Sequence, residues 1–243
     1  MIELLGVSVP RRGRGWLLHR VCATLETGEL TVVVSSDPAE RAALLDTMAG
    51  RRVPDEGRAW ISRAPVMAES LGRVRRLCGD VDPSAELVAH RSLFWNALAP
   101  ASGSRTLGRL LRLPRRRERE AVMLALERVG LRGRADERAG SLSPFDRLRF
   151  LVARALAQRP RNLIVRDPDT VIGPTEIAAI LALLRLLARS EHLSVAVSLT
   201  DGGPARSFAD RVLMLGEGLL LFDGTVQAME APRVAWRAGA LRR

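Results

Sequence analysis

Lysine and tyrosine are both absent from this sequence of 243 residues, in which every one of the 38 basic side chains is an arginine. Any mechanism that needs a lysine amine or a tyrosine hydroxyl is therefore excluded. The chain is also rich in alanine, glycine and leucine, so the arginine excess is typical of a composition bias in the coding sequence.

Cysteines, histidine clusters and long apolar runs are scarce as well. Cys22 and Cys78 lack CxxC spacing, which favours buried small side chains over a redox role. His19, His90 and His192 are isolated in the sequence, so no metal site is predicted. No apolar run approaches the ~20 residues that cross a bilayer, and the N-terminus lacks signal-peptide features. We therefore expect a cytoplasmic protein.

The formal net charge of +11 could indicate a polyanionic partner or an anionic membrane surface. The arginines are dispersed, however, and the basic clusters at 11–14, 115–119 and 233–243 have almost no interleaved aromatic side chains for base stacking. Nucleic acid is therefore not the expected partner.

The apolar and turn patterns predict strands that alternate with helices. Strands are predicted at 2–9, 17–26, 30–34, 57–62, 162–165, 193–199, 211–215 and 219–222. Helices are predicted at 39–48, 92–98, 106–113, 118–129, 144–158 and 174–189. Such alternation implies an α/β fold with a mostly parallel sheet and right-handed crossovers. The block from 85 to 138 has no strand signal and is predicted to be an inserted helical subdomain.

The stretch "LSPFDRLRFLVARALAQRPRNLIVRDPDTVIGP", residues 142–174, resembles the ATP-binding subunits of ABC transporters, in particular those of phosphonate importers. Within it, "ARALAQRP" followed by a strand is specific for this family, and the likeness extends over roughly residues 2–230. The resemblance implies an ABC-type P-loop NTPase fold, with an N-terminal β subdomain and a helical insertion.

The same resemblance divides the chain into expected parts within a single domain. Residues 1–84 and 141–230 would form the α/β core with its β subdomain, 85–140 the helical subdomain, and 231–243 a basic tail. The family's cofactors are ATP and Mg²⁺. In its head-to-tail dimer, each ATP lies between the phosphate loop of one chain and the signature segment of the other.

The family's phosphate loop falls on "SSDPAERAA", where the residues that hold nucleotide are replaced. Its glycine, lysine and hydroxyl positions fall on Ser35, Pro38, Glu40, Arg41, Ala42 and Ala43. In the family, bare backbone N–H groups and the lysine approach the phosphates, and the hydroxyl holds Mg²⁺. Here Asp37 and Glu40 place carboxylates among those positions, and Pro38 removes a donor. We expect Asp37 to cap the following helix instead.

The other nucleotide-site motifs differ from the family independently. The metal-binding aspartate and the general-base glutamate fall on Arg166 and Asp167, and an arginine repels a cation. A shift of one residue would give Asp167 to the metal but would leave Pro168 in place of the base. The signature segment falls on 142–146, which includes Ser143, and the loop glutamine falls near Pro83. The switch histidine falls on Thr200, and the aromatic side chain that stacks on adenine falls near Arg11.

These replacements predict a catalytically degenerate homologue of the transporter's ATP-binding subunit, with weak or absent binding of ATP and Mg²⁺. The expected partner is an ABC membrane permease or an ABC ATPase homologue, and membrane association is expected only through it. Two interpretations of the charges remain open: an ion-pair or N-cap network that fills the phosphate site, or weak residual anion binding by Arg41 and Arg166. The alternative functions are an active ATPase that uses Arg41 and Asp167, and a soluble polyanion-binding protein.

Six apolar residues of the predicted insertion are more than a small subdomain readily buries. They are Leu110, Leu111, Leu113, Met123, Leu124 and Leu126. They form either a docking face for a partner or the insertion's own core.

Overall fold

The computed structural model describes residues 1–98 and 114–229 of the chain. Within these ranges the strands are β1 Ile2–Pro10, β2 Trp16–Leu25, β3 Leu30–Val34, β4 Glu56–Ile61, β5 Ala64–Pro65, β6 Cys78–Val81, β7 Asn162–Val165, β8 Ser194–Leu199, β9 Arg211–Gly216 and β10 Leu219–Gly224. The α-helices are α1 Pro38–Met48, α2 Leu71–Leu77, α3 Leu93–Leu98, α4 Arg116–Arg128, α5 Pro144–Leu156, α6 Pro174–Ser190, α7 Ala205–Phe208 and α8 Val226–Met229. The helix predicted at 106–113 and the basic tail at 231–243 lie outside the described residues.

The larger sheet has six strands in the order β10-β9-β3-β8-β7-β6. All neighbouring pairs from β9 to β6 are parallel, and only β10 is antiparallel to its neighbour. The predicted mostly parallel sheet is therefore confirmed. Every residue of β3, β7 and β8 is buried, as the continuous apolar runs predict for strands that are covered on both faces. Because these strands are parallel, the residues that follow them meet at one edge.

The smaller sheet is antiparallel, with the order β2-β1-β4-β5, and forms the predicted N-terminal β subdomain. The inner face of this sheet and the helix α1 pack together against one face of the parallel sheet. Leu44 and Met48 of α1 are fully buried in this contact. The opposite face of the parallel sheet is covered by α5 and α6. The chain thus folds in layers around the parallel sheet.

The described residues between β6 and α5 form α3, α4 and short 3₁₀ turns, with only the bridge between Ser92 and Arg138 in extended pairing. Leu126 is fully buried against the same core as α5, and Met123 is half-buried there. Leu124, by contrast, is 45% exposed. The other three leucines of the predicted docking face lie outside the described residues. The boundaries of the helical subdomain stay a prediction.

Two features of the fold differ from the sequence-based expectations. Cys22 is exposed on β2, so its predicted burial was wrong, because alternate residues of a half-covered strand face outward. Cys78 is buried as predicted, and burial together with the nearby Asp80 raises the pKa of its thiol to about 12. It begins β6, a strand that was not predicted because "CGDV" is short and contains a charge.

Close packing explains why β6 tolerates a glycine. A Cβ on Gly79 would lie 3.0 Å from the Ala155 side chain of α5, so the glycine allows the helix to approach the strand.

Among the helices that the structure describes, none has the length and apolar character needed to cross a membrane.

Candidate functional site

The turn between β3 and α1 is satisfied by its own side chains. Asp37 is the N-cap of α1, with φ −90° and ψ 112°, and its carboxylate accepts the backbone N–H of Ala39 at 2.8 Å. The backbone N–H of Asp37 donates to Ser35 Oγ at 3.1 Å. The predicted N-cap is therefore confirmed, and Pro38 follows it at the first helical position, where a missing N–H costs little.

Arg11 connects the turn between β1 and β2 to this loop. Its Nη2 lies 2.5 Å from the second carboxylate oxygen of Asp37 and 3.9 Å from Glu40 Oε1. Partial burial opposes ionisation of Asp37, but the hydrogen bonds from Arg11 and Ala39 outweigh it and lower the pKa of the carboxyl. The position that the resemblance gives to the adenine-stacking aromatic thus holds an ion pair.

Glu40, which the resemblance places at a glycine position of the family's loop, is only 1% exposed. Its Oε2 accepts the hydroxyl of Ser35 at 2.7 Å, and its Oε1 accepts the backbone N–H of Gly218 at 2.7 Å. Gly218 has φ +80°, and a Cβ there would lie 2.8 Å from the carbonyl oxygen of Trp16. The buried carboxylate therefore joins the loop to the turn between β9 and β10.

Arg41, which the resemblance places at the family's lysine position, points toward the end of β7 and is 3% exposed. Its Nε donates to Asp167 Oδ1 at 2.7 Å, and its Nη1 donates to the carbonyl oxygen of Ser35 at 2.5 Å. The hydroxyl of Ser198 also donates to Asp167 Oδ1, at 2.6 Å. The buried guanidinium of Arg41 thus has one charged acceptor, the Asp167 carboxylate, and one neutral acceptor, the carbonyl oxygen of Ser35. The following residue, Ala42, offers no hydroxyl.

The backbone of Asp167 has a left-handed conformation, with φ +37° and ψ 53°. Aspartate is one of the few residues other than glycine that adopts it with little penalty. The backbone N–H of Asp167 donates to Ser198 Oγ at 2.9 Å, which fixes the turn to the neighbouring strand β8.

Arg166, which the resemblance places at the family's metal-binding aspartate, is held by two carboxylates. Its Nε and Nη2 donate to the two oxygens of Asp80 at 2.8 and 3.1 Å, and its Nη2 lies 2.9 Å from Asp46 Oδ1. Arg51 also pairs with Asp80. Burial lowers the pKa of Arg166, but the two carboxylates outweigh burial and raise it. Asp46 and Asp80 were not singled out from the sequence, because only the pairing of β6 with β7 brings Asp80 beside Arg166.

A cavity of about 380 Å³ lies at this edge of the sheet. Five of the predicted site residues line it: Arg41, Ala42, Pro83, Arg166 and Asp167. The other five do not line it: Asp37, Pro38, Ala43, Ser143 and Thr200. Thr200 lies one strand away, where its backbone N–H donates to Asp169 Oδ2 at 2.8 Å.

The signature segment begins α5 and also carries its own carboxylate. Ser143 is the N-cap, and its hydroxyl accepts the backbone N–H of Asp146 at 3.1 Å. Asp146 accepts Arg134 at 2.6 Å and Arg149 at 2.9 Å. Burial raises the pKa of Asp146, but the two arginines outweigh burial and lower it. Arg134 also pairs with Glu137, so the segment is held by an ion-pair network.

The fold defines the class of protein. The structure superimposes on cbiO1 from Clostridium perfringens, part of the ABC transporter complex cbiONQ, with a TM-score of 0.83 and 20% identity, covering 99% of this chain and 94% of that one. For the ADP conformation of MJ1267, an ATP-binding cassette of an ABC transporter, the TM-score is 0.82 at 16% identity, with 96% of each chain covered. The fold is that of an ATP-binding cassette, as predicted.

Sequence comparison shows the family. The chain is 31% identical over 238 residues to the phosphonates import ATP-binding protein PhnC 2 of Cupriavidus metallidurans, covering 97% of this chain and 85% of that protein. It is 33% identical over 241 residues to PhnC of Frankia casuarinae, covering 96% and 94%. No protein-family model matches the chain. The chain belongs to the family of phosphonates import ATP-binding proteins, and the predicted resemblance is confirmed.

Proposed function

We propose that this chain is a catalytically degenerate homologue of an ABC transporter ATP-binding subunit of the phosphonate-import type. It acts as a structural or regulatory partner of a membrane permease or of an ABC ATPase homologue, in the cytoplasm at the inner face of the membrane. Family membership supports the class of transporter and the kind of partner. The charges at the nucleotide positions support the loss of catalysis.

The observation that carries the proposal is the ion pair between Arg41 and Asp167. Where the family has a lysine for the phosphates and a general base, this chain has two side chains that satisfy each other at 2.7 Å. Arg41 is nearly inaccessible to solvent and also donates to Ser35. To meet a phosphate, its guanidinium would have to give up a partly buried charged partner, which we expect to cost about 2 kcal/mol.

The surrounding residues do not fit a magnesium nucleotide. The N–H groups of Asp37 and Ala39 are already bonded to side chains of the loop, and the Asp37 and Glu40 carboxylates would repel phosphate oxygens. Arg166 brings a positive charge where the family has a metal-binding carboxylate. In this proposal the chain therefore carries out no catalytic step with ATP or Mg²⁺.

Pairing with an intact homologue does not complete a site in this proposal. In the head-to-tail arrangement that the resemblance implies, this chain would offer its partner's ATP the signature segment, where Asp146 stands instead of glutamine. Its own loop would face the partner's signature with Asp37 and Glu40. Both composite sites then carry a carboxylate near the phosphate positions.

Calorimetric titration with Mg²⁺-ATP tests the proposal. We expect no binding at micromolar affinity, which would correspond to about 8 kcal/mol. The PhnC protein of Cupriavidus metallidurans, purified and titrated alongside, serves as the control for active protein and nucleotide. A micromolar Kd that is abolished by Arg41→Met, with the variant folded by circular dichroism, would overturn the proposal and favour an active ATPase that uses Arg41.

A further inference from the structure

An exposed basic face lies at the edge of the parallel sheet opposite the cavity, where β6 and β7 begin. The backbone N–H of Arg161 donates to the carbonyl oxygen of Leu77 at 2.8 Å, which joins the loop before β7 to the end of α2. The side-chain amide of Asn162 donates to Ser62 Oγ at 3.0 Å, which joins the same loop to the turn between β4 and β5. Three short segments are thereby brought side by side.

Each of these segments carries exposed arginines, which together we call the arginine face. They are Arg63, Arg73, Arg76, Arg159 and Arg161. None of them forms an ion pair with a described carboxylate, in contrast to Arg41, Arg134 and Arg166. Glu69, in the 3₁₀ turn before α2, is the acidic residue of these three segments, so the segments together carry a net positive charge.

The helix α2 orients two of these arginines. Val74 is fully buried, which fixes the rotation of the helix. Arg73 and Arg76, three residues apart, lie on one face of a helix and are both exposed. Arg75, on another side, donates to the carbonyl oxygen of Gly50 at 3.1 Å and is used within the fold. The exposed pair is thus held on a rigid element.

An apolar side chain lies beside these charges. Met67 is 51% exposed, and its carbonyl oxygen accepts the first N–H of α2, from Leu71, at 3.1 Å. Guanidinium groups bind phosphates in a bidentate manner, and cations that flank an exposed apolar side chain are typical of proteins that bind anionic membranes. The described residues of the face include no exposed aromatic side chain for stacking on bases, which disfavours single-stranded nucleic acid.

We propose that the arginine face binds the phosphates of an anionic lipid surface directly, with Met67 entering the headgroup region. This contact is additional to membrane association through a permease. It uses none of the residues that line the cavity, so its failure would leave the proposed function untouched, and the failure of that function would leave this contact untouched.

Vesicle co-sedimentation of the full chain tests the proposal. We expect binding to vesicles of phosphatidylglycerol and phosphatidylcholine in equal parts, and none to pure phosphatidylcholine. Each arginine at such a surface contributes about fivefold to partitioning, so Arg73→Gln with Arg76→Gln should lower the partition coefficient by about 25-fold. Met67→Ser should lower it by several-fold, since less apolar area is buried.

The matched control is Arg117→Gln with Arg138→Gln, which removes the same charge from two exposed arginines of the helical insertion. We expect a loss below about threefold, because separated surface charges are screened by salt. An equal loss in both double variants would reduce the effect to net charge and overturn the proposal. The proposal would also be overturned if the chain did not bind the anionic vesicles. A chain that binds a DNA duplex through Arg73 and Arg76, but does not bind vesicles, would show that the face binds nucleic acid instead.

Discussion

Replacing Asp167 with asparagine removes the negative charge opposite Arg41 while nearly preserving shape. The amide oxygen can still accept a hydrogen bond, and asparagine tolerates the left-handed backbone that this position requires. The variant therefore isolates the loss of charge from strain and from a cavity. What remains is a guanidinium that is 3% exposed and has only neutral acceptors.

Breaking a buried ion pair from one side costs about 3–5 kcal/mol. The Asp167 side chain is 29% exposed, so solvent reduces the cost, and we expect Asp167→Asn to lower the free energy of unfolding by about 2 kcal/mol. Arg41→Met fills the same space without a charge and should cost about 1 kcal/mol. The double variant should then be more stable than Asp167→Asn alone, because no buried charge is left unpaired.

Urea unfolding followed by circular dichroism measures these differences. With a slope of about 3 kcal/mol per molar urea, Asp167→Asn should lower the midpoint by about 0.7 M. The control is Asp55→Asn, which breaks the exposed pair with Arg52, where both side chains are more than a third exposed, and should cost less than about 0.5 kcal/mol. The reasoning is refuted if Asp167→Asn costs no more than this control, or if the double variant is the least stable of the three.

Further predictions concern the second ion pair, acidity and the dimer. Asp80→Asn leaves Arg166 without its bidentate partner and should lower unfolding free energy by about 2 kcal/mol in the same urea assay; an effect near zero would contradict the pairing. The folded pKa of Asp37 and of Asp146 is lowered, and that of Glu137 is lowered to about 2. Their stabilisation is therefore complete above the unfolded pKa near 4 and is lost as pH falls; a melting temperature unchanged from pH 7 to about pH 3 would oppose this. Adding the chain to an active homologue should leave steady-state ATPase turnover unchanged or lower it by competition for the dimer surface, and a clear rise per active subunit would disprove the pseudo-ATPase proposal.

Local features of the site were readable from the sequence because they depend on neighbours along the chain. The buried run Leu30–Val34, the turn after it and the helix from Pro38 follow from hydrophobic pattern and capping preferences. The N-cap role of Asp37 needs only the backbone N–H of Ala39, two residues away. The absence of a side-chain hydroxyl at Ala42 and Ala43 is likewise read directly from the residue types.

The partners of the charges, in contrast, were decided by the order of strands in the sheet. Arg41 and Asp167 are 126 residues apart and meet because β3 and β7 both flank β8, with their carboxyl ends at one edge. Asp80 reaches Arg166 only because the unpredicted strand β6 lies beside β7. A local sequence pattern does not predict which distant residues come into contact, because pairing between strands depends on how the whole sheet is packed.

The sequence by itself thus determined the fold class and the caps at Asp37 and Ser143, because these depend on periodicity, residue chemistry and short-range bonds. Tertiary structure alone decided that Arg41 pairs with Asp167, that Arg166 pairs with Asp80, and that the segments carrying the arginine face lie side by side at the opposite edge of the sheet. The physical reason is that charge compensation acts across space over a few ångströms, whereas local pattern extends only over a few residues of chain.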